Sequence, residues 1–253
     1  MNSHELLTQW ASDYTAWAKR TLSDRRYAYW WAGGMHPSPR SWHVDQQCML
    51  AIVGIRTDGT KTLVALVDGT SESTDAWREV LRDLKRRGLS VGPQLATSDS
   101  HMGFWAALGE IYPETRHQHC LGHKTARILH TLPKDIQPQA KAELREIWMA
   151  ETRDEARTLL EAFISAYQAE YPKAAAMLTE DHEALLAFYD FPAEHWHHLR
   201  TTNPIDSTFA AVRHRITRSG NGMSRMDLLA TTFRLVQESE KSWRRIRSHQ
   251  RIR

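Results

Sequence analysis

Cys48-Met49-Leu50-Ala51-Ile52-Val53-Gly54-Ile55, then Thr57-Asp58-Gly59-Thr60, then Lys61-Thr62-Leu63-Val64-Ala65-Leu66-Val67 is the stretch that decides the fold. Two apolar runs of strand length flank an Asp-Gly turn, which is the signature of a β-hairpin. Upstream, Tyr27-Ala28-Tyr29-Trp30-Trp31-Ala32 reads as a further short strand that stops at the turn signal Gly33-Gly34, and His36-Pro37-Ser38-Pro39-Arg40 continues as a loop. Downstream, Ser73 or Thr74 caps a helix with Trp77, Val80, Leu81 and Leu84 on one face, ending at Lys85-Arg86-Arg87-Gly88. Gln94 to Asp99 is a strand with Asp99 at its C-terminal tip, and a helix begins at Met102. Thr115 to Cys120 is another strand, followed by a helix from about Gly122 to Leu132. Three successive strands followed by alternating helix and strand predict an α/β fold, a mixed sheet flanked by helices.

The rest of the chain reads as helix. Residues 1–26 carry Leu6, Leu7, Trp10, Tyr14, Trp17 and Leu22 near a helical period. Gln137 to Met149, Thr152 to Tyr171 and Pro172 to Tyr189 show helical periodicity and no strand, as an all-helical insertion would. Two further helices follow, Pro204 to about Arg218 and Ser224 to about Arg247, separated by Ser219-Gly220-Asn221-Gly222. The segments expected are therefore 1–26, a core portion 27–135, a helical insertion 136–198 and a C-terminal helical part 199–253.

With 41% hydrophobic and 25% charged residues, the composition is that of a soluble globular protein. No apolar run approaches the ~20 residues of a membrane span, so no membrane partner is expected. The N-terminus lacks a secretory pattern, and two cysteines make no disulfide framework, so the expected location is cytoplasmic. Charge is uneven. From Arg200 onward there are 12 Lys/Arg against 4 Asp/Glu. A basic C-terminal region suits a polyanion, and DNA is the partner it suggests, which would make the protein nucleoid-associated. The candidate phosphate contacts are Arg213, Arg215, Arg218, Arg225, Arg244, Arg245 and Arg247. Trp196, in the His-rich loop His195-Trp196-His197-His198, is a candidate for stacking. The alternative is a solvated basic helix and ordinary core packing.

Two carboxylates stand out. Asp99 occupies a strand tip, where ligand sites form in α/β sheets, although an Asp there can also cap the next helix. Asp206 lies in Thr202-Asn203-Pro204-Ile205-Asp206, in the first turn of a helix capped by Thr202 or Asn203; a carboxylate there can simply stabilise the N-terminus. Cys120-Leu121-Gly122-His123 has the spacing of half a zinc site, but Cys48 is the only other cysteine.

Taken together, the chain resembles the Mutator-type transposases of bacterial insertion sequences. The resemblance is carried by Tyr29-Trp30-Trp31-Ala32, Leu81-Arg82-Asp83-Leu84-Lys85-Arg86-Arg87-Gly88-Leu89, Asp99 with Gly103-Phe104-Trp105, Cys120-Leu121-Gly122-His123-Lys124, Leu185 to Trp196, and Leu199-Arg200-Thr201-Thr202-Asn203-Pro204-Ile205. It runs from about residue 15 to about residue 246. It implies a ribonuclease H-like core with a helical insertion, and a three-carboxylate site holding two magnesium (or manganese) ions for DNA strand cleavage and transfer. The family's second Asp falls on Asp99, its Cys-x-x-His signature on Cys120 and His123, and its last carboxylate on Asp206. The resemblance also implies element ends and target DNA as partners; self-association, or pairing with an intact transposase, is expected of the chain.

Three departures qualify this. The first Asp should follow Trp31-Ala32, where Gly33 stands. The last carboxylate is usually Glu; Asp206 sets its oxygens back by roughly 1.5 Å, one C–C bond. Few residues precede the first strand, so a missing end-recognition region is expected. The alternatives are a catalytically inactive DNA-binding remnant or regulator, and a zinc-stabilised module around Cys120 and His123.

Overall fold

A computed structural model describes residues 3–35, 48–69, 71–99, 102–219 and 224–252. The chain opens with α1 (Ser3–Ala18) and then lays down β1 (Tyr27–Met35), β2 (Cys48–Arg56) and β3 (Lys61–Gly69). Next come α2 (Thr74–Arg86), β4 (Leu95–Ser98), α3 (Met102–Ile111), β5 (Arg116–His119) and α4 (Leu121–His130). The helices α5 (Gln137–Met149), α6 (Arg153–Tyr167) and α7 (Pro172–Leu185) follow, with two 3-10 turns and the single-turn α8 (Trp196–Leu199). The long helices α9 (Asn203–Ser219) and α10 (Arg225–Glu240) come last.

The five strands form one mixed sheet in the order β3-β2-β1-β4-β5. β1, β2 and β3 are antiparallel neighbours, while β4 and β5 run parallel to β1. The hairpin is as the Asp-Gly turn requires: Gly59 has φ +81°, and its N–H donates to the Arg56 carbonyl at 2.9 Å. β2 and the central strand β1 are buried on both faces, which explains their unbroken apolar character.

Alternation along β1 sends side chains to two separate cores. Trp30 and Ala32 join Ile52, Ala96, Trp77 and Leu81 of α2, and Phe104 and Leu108 of α3. Tyr29 and Trp31 face the other way, into a larger core with Leu121 and Ile128 of α4, Ile205 and Phe209 of α9, and Phe233 of α10. The first helix of the chain packs on α10, where Phe233 meets Tyr14 and Trp17 at ring distances of 5.5 and 4.8 Å.

Several boundaries differ from the sequence reading, among them the ends of α6, at Tyr167 rather than Tyr171, and of α7, at Leu185 rather than Tyr189. β1 does not stop at Gly33-Gly34: Gly33 pairs with Ala51 and Gly34 with Leu50, and the strand runs to Met35. Pairing with a fully apolar neighbour overrides the local turn preference of two glycines. α1 ends at Ala18, because the Arg20 guanidinium turns back to donate to the carbonyls of Trp17, Leu63 and Val64. α10 ends at Glu240; beyond it the chain is drawn onto the hairpin turn, where the Ile246 N–H donates to the Gly59 carbonyl at 3.0 Å. The loop 36–40 lies outside the described residues.

Phe233 is 1% exposed at the junction of α1 and α10. Phe233→Ala should therefore cost about 3–5 kcal/mol in urea unfolding, the range for deleting a buried aromatic ring. A loss below ~1 kcal/mol would show that α1 does not depend on this contact.

Candidate active site

The site forms where α9 crosses the tips of β1 and β4. Residues 195–202 deliver α9 there, and buried hydrogen bonds hold them to the sheet and to α4. Tyr29 Oη and His195 Nδ1 are 3.0 Å apart. Trp31 Nε1 donates to the His198 carbonyl at 3.0 Å, and Thr97 Oγ1 donates to the Leu199 carbonyl at 2.6 Å. The Leu121 N–H, at the start of α4, donates to the Arg200 carbonyl at 2.9 Å. Arg200 in turn donates to the Trp148 carbonyl at 2.7 Å.

Thr202 is the node at the end of this segment. Its carbonyl accepts the N–H groups of Ile205 and Asp206 at 2.9 and 3.0 Å, starting α9. Its N–H donates to Cys120 Sγ at 3.3 Å, and its hydroxyl lies 3.2 Å from the same sulfur. The hydroxyl donates to Asp206 Oδ2 at 2.7 Å and sits 3.3 Å from His123 Nδ1. A hydroxyl carries one proton, so with Asp206 as the shortest acceptor, a protonated His123 donates to the Thr202 oxygen. Thr202 is 2% exposed and Cys120, the residue preceding α4, is also 2% exposed.

The electrostatics follow from this contact set. The hydrogen bond to Cys120 is the largest influence on His123; it outweighs partial burial, and the charges of Asp99 and Asp206 add to it, so the imidazole is raised to about 9. Burial pushes the Cys120 thiol up, but hydrogen bonds from His123 and Thr202 together hold it below its ordinary value. His123 therefore stands within electrostatic reach of both carboxylates. Asp99 follows the last residue of β4 and forms an ion pair with Arg127 of α4 at 3.4 Å.

β1 completes the geometry. Ala32 pairs with Ser98 at the end of the β1–β4 ladder, and Gly33 and Asp99 are the next residues of the two chains. A Cβ built on Gly33 would meet nothing within 4 Å. By contrast, a Cβ on Gly34, on the opposite face, would stand 2.3 Å from the Glu72 Cδ.

The other residues singled out in the sequence fall as follows. Trp196 donates its Nε1–H to the Phe191 carbonyl at 2.8 Å and packs edge-on against Phe188 and Tyr189. Arg225 grips the Asp68 carboxylate with Nε and Nη2, both at 2.9 Å. Arg213 is half-buried and Arg215 exposed on α9; the Arg218 side chain lies outside the described residues, as do His101 and Asp45. Arg244, Arg245 and Arg247 lie in the segment after α10, and all three are exposed. Sequence reasoning missed Thr202 as the link between Cys120, His123 and Asp206. Its only signal was its place before the helix.

Among the described residues, no group of three or more His, Cys, Asp or Glu side chains is arranged to hold a metal ion. The described residues at the site do not by themselves fit a two-ion centre. They supply two carboxylates, one paired with an arginine and the other held by a hydroxyl, with a raised histidine near both.

Residues 5–245 match the family model of transposases of the Mutator family. The chain belongs to that family. It is 49% identical over 245 residues to the transposase for insertion sequence element IST2 of Acidithiobacillus ferrooxidans, a match covering 94% of this chain and 80% of that protein. It is 44% identical over 243 residues to the transposase for insertion sequence element IS6120 of Mycolicibacterium smegmatis, covering 95% and 74%. A more distant relative is the transposase for ISRM5 of Rhizobium meliloti, 34% identical over 172 residues, covering 68% and 43%. Among the described residues, no helix is long and apolar enough to cross a membrane.

Protonation of His123 favours the folded state. Its contribution is fully present below pH 6.5 and fades as pH rises through about 9. In an NMR titration, the His123 ring should therefore titrate near 9 and fall toward 6.5 in Cys120→Ala. A midpoint unmoved by Cys120→Ala would contradict the Cys120–His123 coupling.

Proposed function

We propose that this chain is a transposase polypeptide of an insertion-sequence element, acting on DNA phosphodiesters through a ribonuclease H-like core. In this reading Asp99 and Asp206 are what remains of a three-carboxylate site, and Gly33 marks the missing corner. The observation that carries it is the convergence of Asp99, Asp206 and the Cys120–His123 pair at the tips of β1 and β4, in a chain of the Mutator family. Magnesium or manganese is the cofactor of the intact site, since hard divalent cations prefer oxygen ligands.

What this chain's own residues do is narrower. Thr202 orients the Asp206 carboxylate by a 2.7 Å hydrogen bond, and Arg127 holds Asp99. Among the described residues, a Cβ at Gly33 would meet nothing within 4 Å. The shorter Asp206 also retracts its oxygens, and catalytic geometry tolerates such a displacement poorly. A second reading, an inactive DNA-binding protein that pairs with an intact transposase, is favoured by one observation: Gly33 offers no ligand.

The test is nicking of element-end DNA with magnesium or manganese. The natural chain should bind the DNA and cut it poorly or not at all. Gly33→Asp with Asp206→Glu should raise cutting by at least about tenfold, and Asp99→Ala in that background should abolish it. Efficient nicking by the natural chain, lost in Asp99→Ala, would overturn the view that the site is incomplete.

A further inference from the structure

After α10, the chain docks on the β2–β3 hairpin. The Ile246 N–H donates to the Gly59 carbonyl, and Ile246 is 1% exposed. His249 packs so closely on Gly59 that a Cβ there would stand 2.5 Å from the histidine Cβ. His195 Nε2 and the Ser248 carbonyl, 3.2 Å apart, tie the same segment to the loop that carries α9. This docking brings Arg244 and Lys61, the first residue of β3, to one open groove of about 350 Å³. Its other wall is the first turn of α9, with Asn203, Pro204 and Ser207. Asp206 is the neighbour of Ser207 on that helix.

Among the described residues, the groove carries an excess of positive charge with no counter-ion in its lining. Lys61 is half-buried, and its ammonium stands 5.7 Å from the centre of the Trp31 ring. Burial lowers its pKa, and no carboxylate opposes the shift. His198 is pushed down to about 3, first by burial, then by His197, Lys61, His195 and Arg247, again with no acid opposing. The acids on neighbouring elements are turned to other partners. Asp58 accepts from the Thr60 N–H at 2.9 Å, Glu240 is held by the Leu63 backbone, and Glu238 pairs with Lys241 and Arg234. A desolvated cation without a counter-charge lowers stability, so its natural complement is an anion that arrives from outside.

We propose that this groove seats the phosphate backbone of DNA as the strand leaves the carboxylate pair, with Lys61 and Arg244 as its charged contacts and Trp243 as part of its floor. This rests on reading the chain as acting on DNA. It adds the direction in which the strand runs: from Asp99 and Asp206, past the first turn of α9, toward the docked C-terminal segment. Lys61 lies opposite Ile55, which pairs with Tyr29 on β1, four residues below Gly33. At about 3.3 Å per residue this is ~13 Å along the strands, and two strand spacings of ~4.8 Å across make about 16 Å in all, a reach of a few nucleotides.

The experiment is fluorescence anisotropy of a labelled DNA duplex with the full chain, titrated between roughly 50 and 200 mM salt. Lys61→Gln with Arg244→Gln should weaken binding at least about tenfold and reduce the slope of log K against log salt by ~1–2, about one for each phosphate no longer neutralised. Arg82→Gln with Arg86→Gln, on α2 behind the sheet, should leave both unchanged. Lys61→Gln alone should melt no lower than the natural chain, since it removes an unpaired cation; Arg244→Gln alone tests the groove with an exposed residue. If the natural chain binds DNA but the groove variant keeps its affinity and slope, the groove is not the seat and the DNA reading survives. An equal loss in the α2 variant would also overturn the groove, as it would reflect overall charge. If the natural chain binds no DNA at any salt, the underlying reading fails with it.

Discussion

The structure depends on the suspension of residues 195–202 beneath the sheet. This segment is neither strand nor long helix, yet it buries His195, Leu199 and Thr202. Buried backbone carbonyls need partners, and here they find them in side chains of β1 and β4 and in the first N–H of α4. Trp31, Thr97 and Leu121 thus fix where α9 begins. Because Asp206 is four residues beyond Thr202, the same bonds fix the distance between the two carboxylates. Packing of Ile205, Phe209 and Val212 then locks the helix against β1.

The Cys120–His123 pair is best understood as part of this suspension. Among the described residues no three-ligand metal group forms at the sulfur, which receives the Thr202 N–H and meets its hydroxyl. A sulfur stabilised by hydrogen bonds and an imidazole raised by that sulfur and two carboxylates form a polar core under the carboxylates. This gives the signature a structural reason to lie close to the acids: it anchors the cap of the helix that carries the last one.

Much of this was legible in the sequence. The Asp-Gly hairpin, the apolar β2 and the helical periodicities follow from local chemistry, and Asp99 at a strand tip is visible from pattern alone. Gly33-Gly34 was misleading because glycine signals a turn locally, whereas pairing with Ala51 and Leu50 is a tertiary fact. The end of α10 was equally hidden: its periodicity continues to Arg247, but the helix stops at Glu240 and the following segment bonds to the hairpin turn through Ile246 and Gly59. Arg225 looked like a free cation until the fold brought it to Asp68, 157 residues away in sequence. Trp196 looked exposed in a His-rich stretch, but its ring packs against Phe188 and Tyr189. Charges and aromatics near chain ends are assigned by contacts that no short window contains.

The suspended segment, and not α9 alone, places Asp206. Hydrogen exchange by mass spectrometry on Thr97→Val, which deletes the 2.6 Å bond to the Leu199 carbonyl, tests it most directly. Leaving that buried carbonyl unpaired costs about 1–3 kcal/mol, so peptides spanning residues 199–206 should exchange at least about fivefold faster, while those of β2 and β3 stay unchanged. Unchanged protection over 199–206, in a variant that stays folded, would contradict the account.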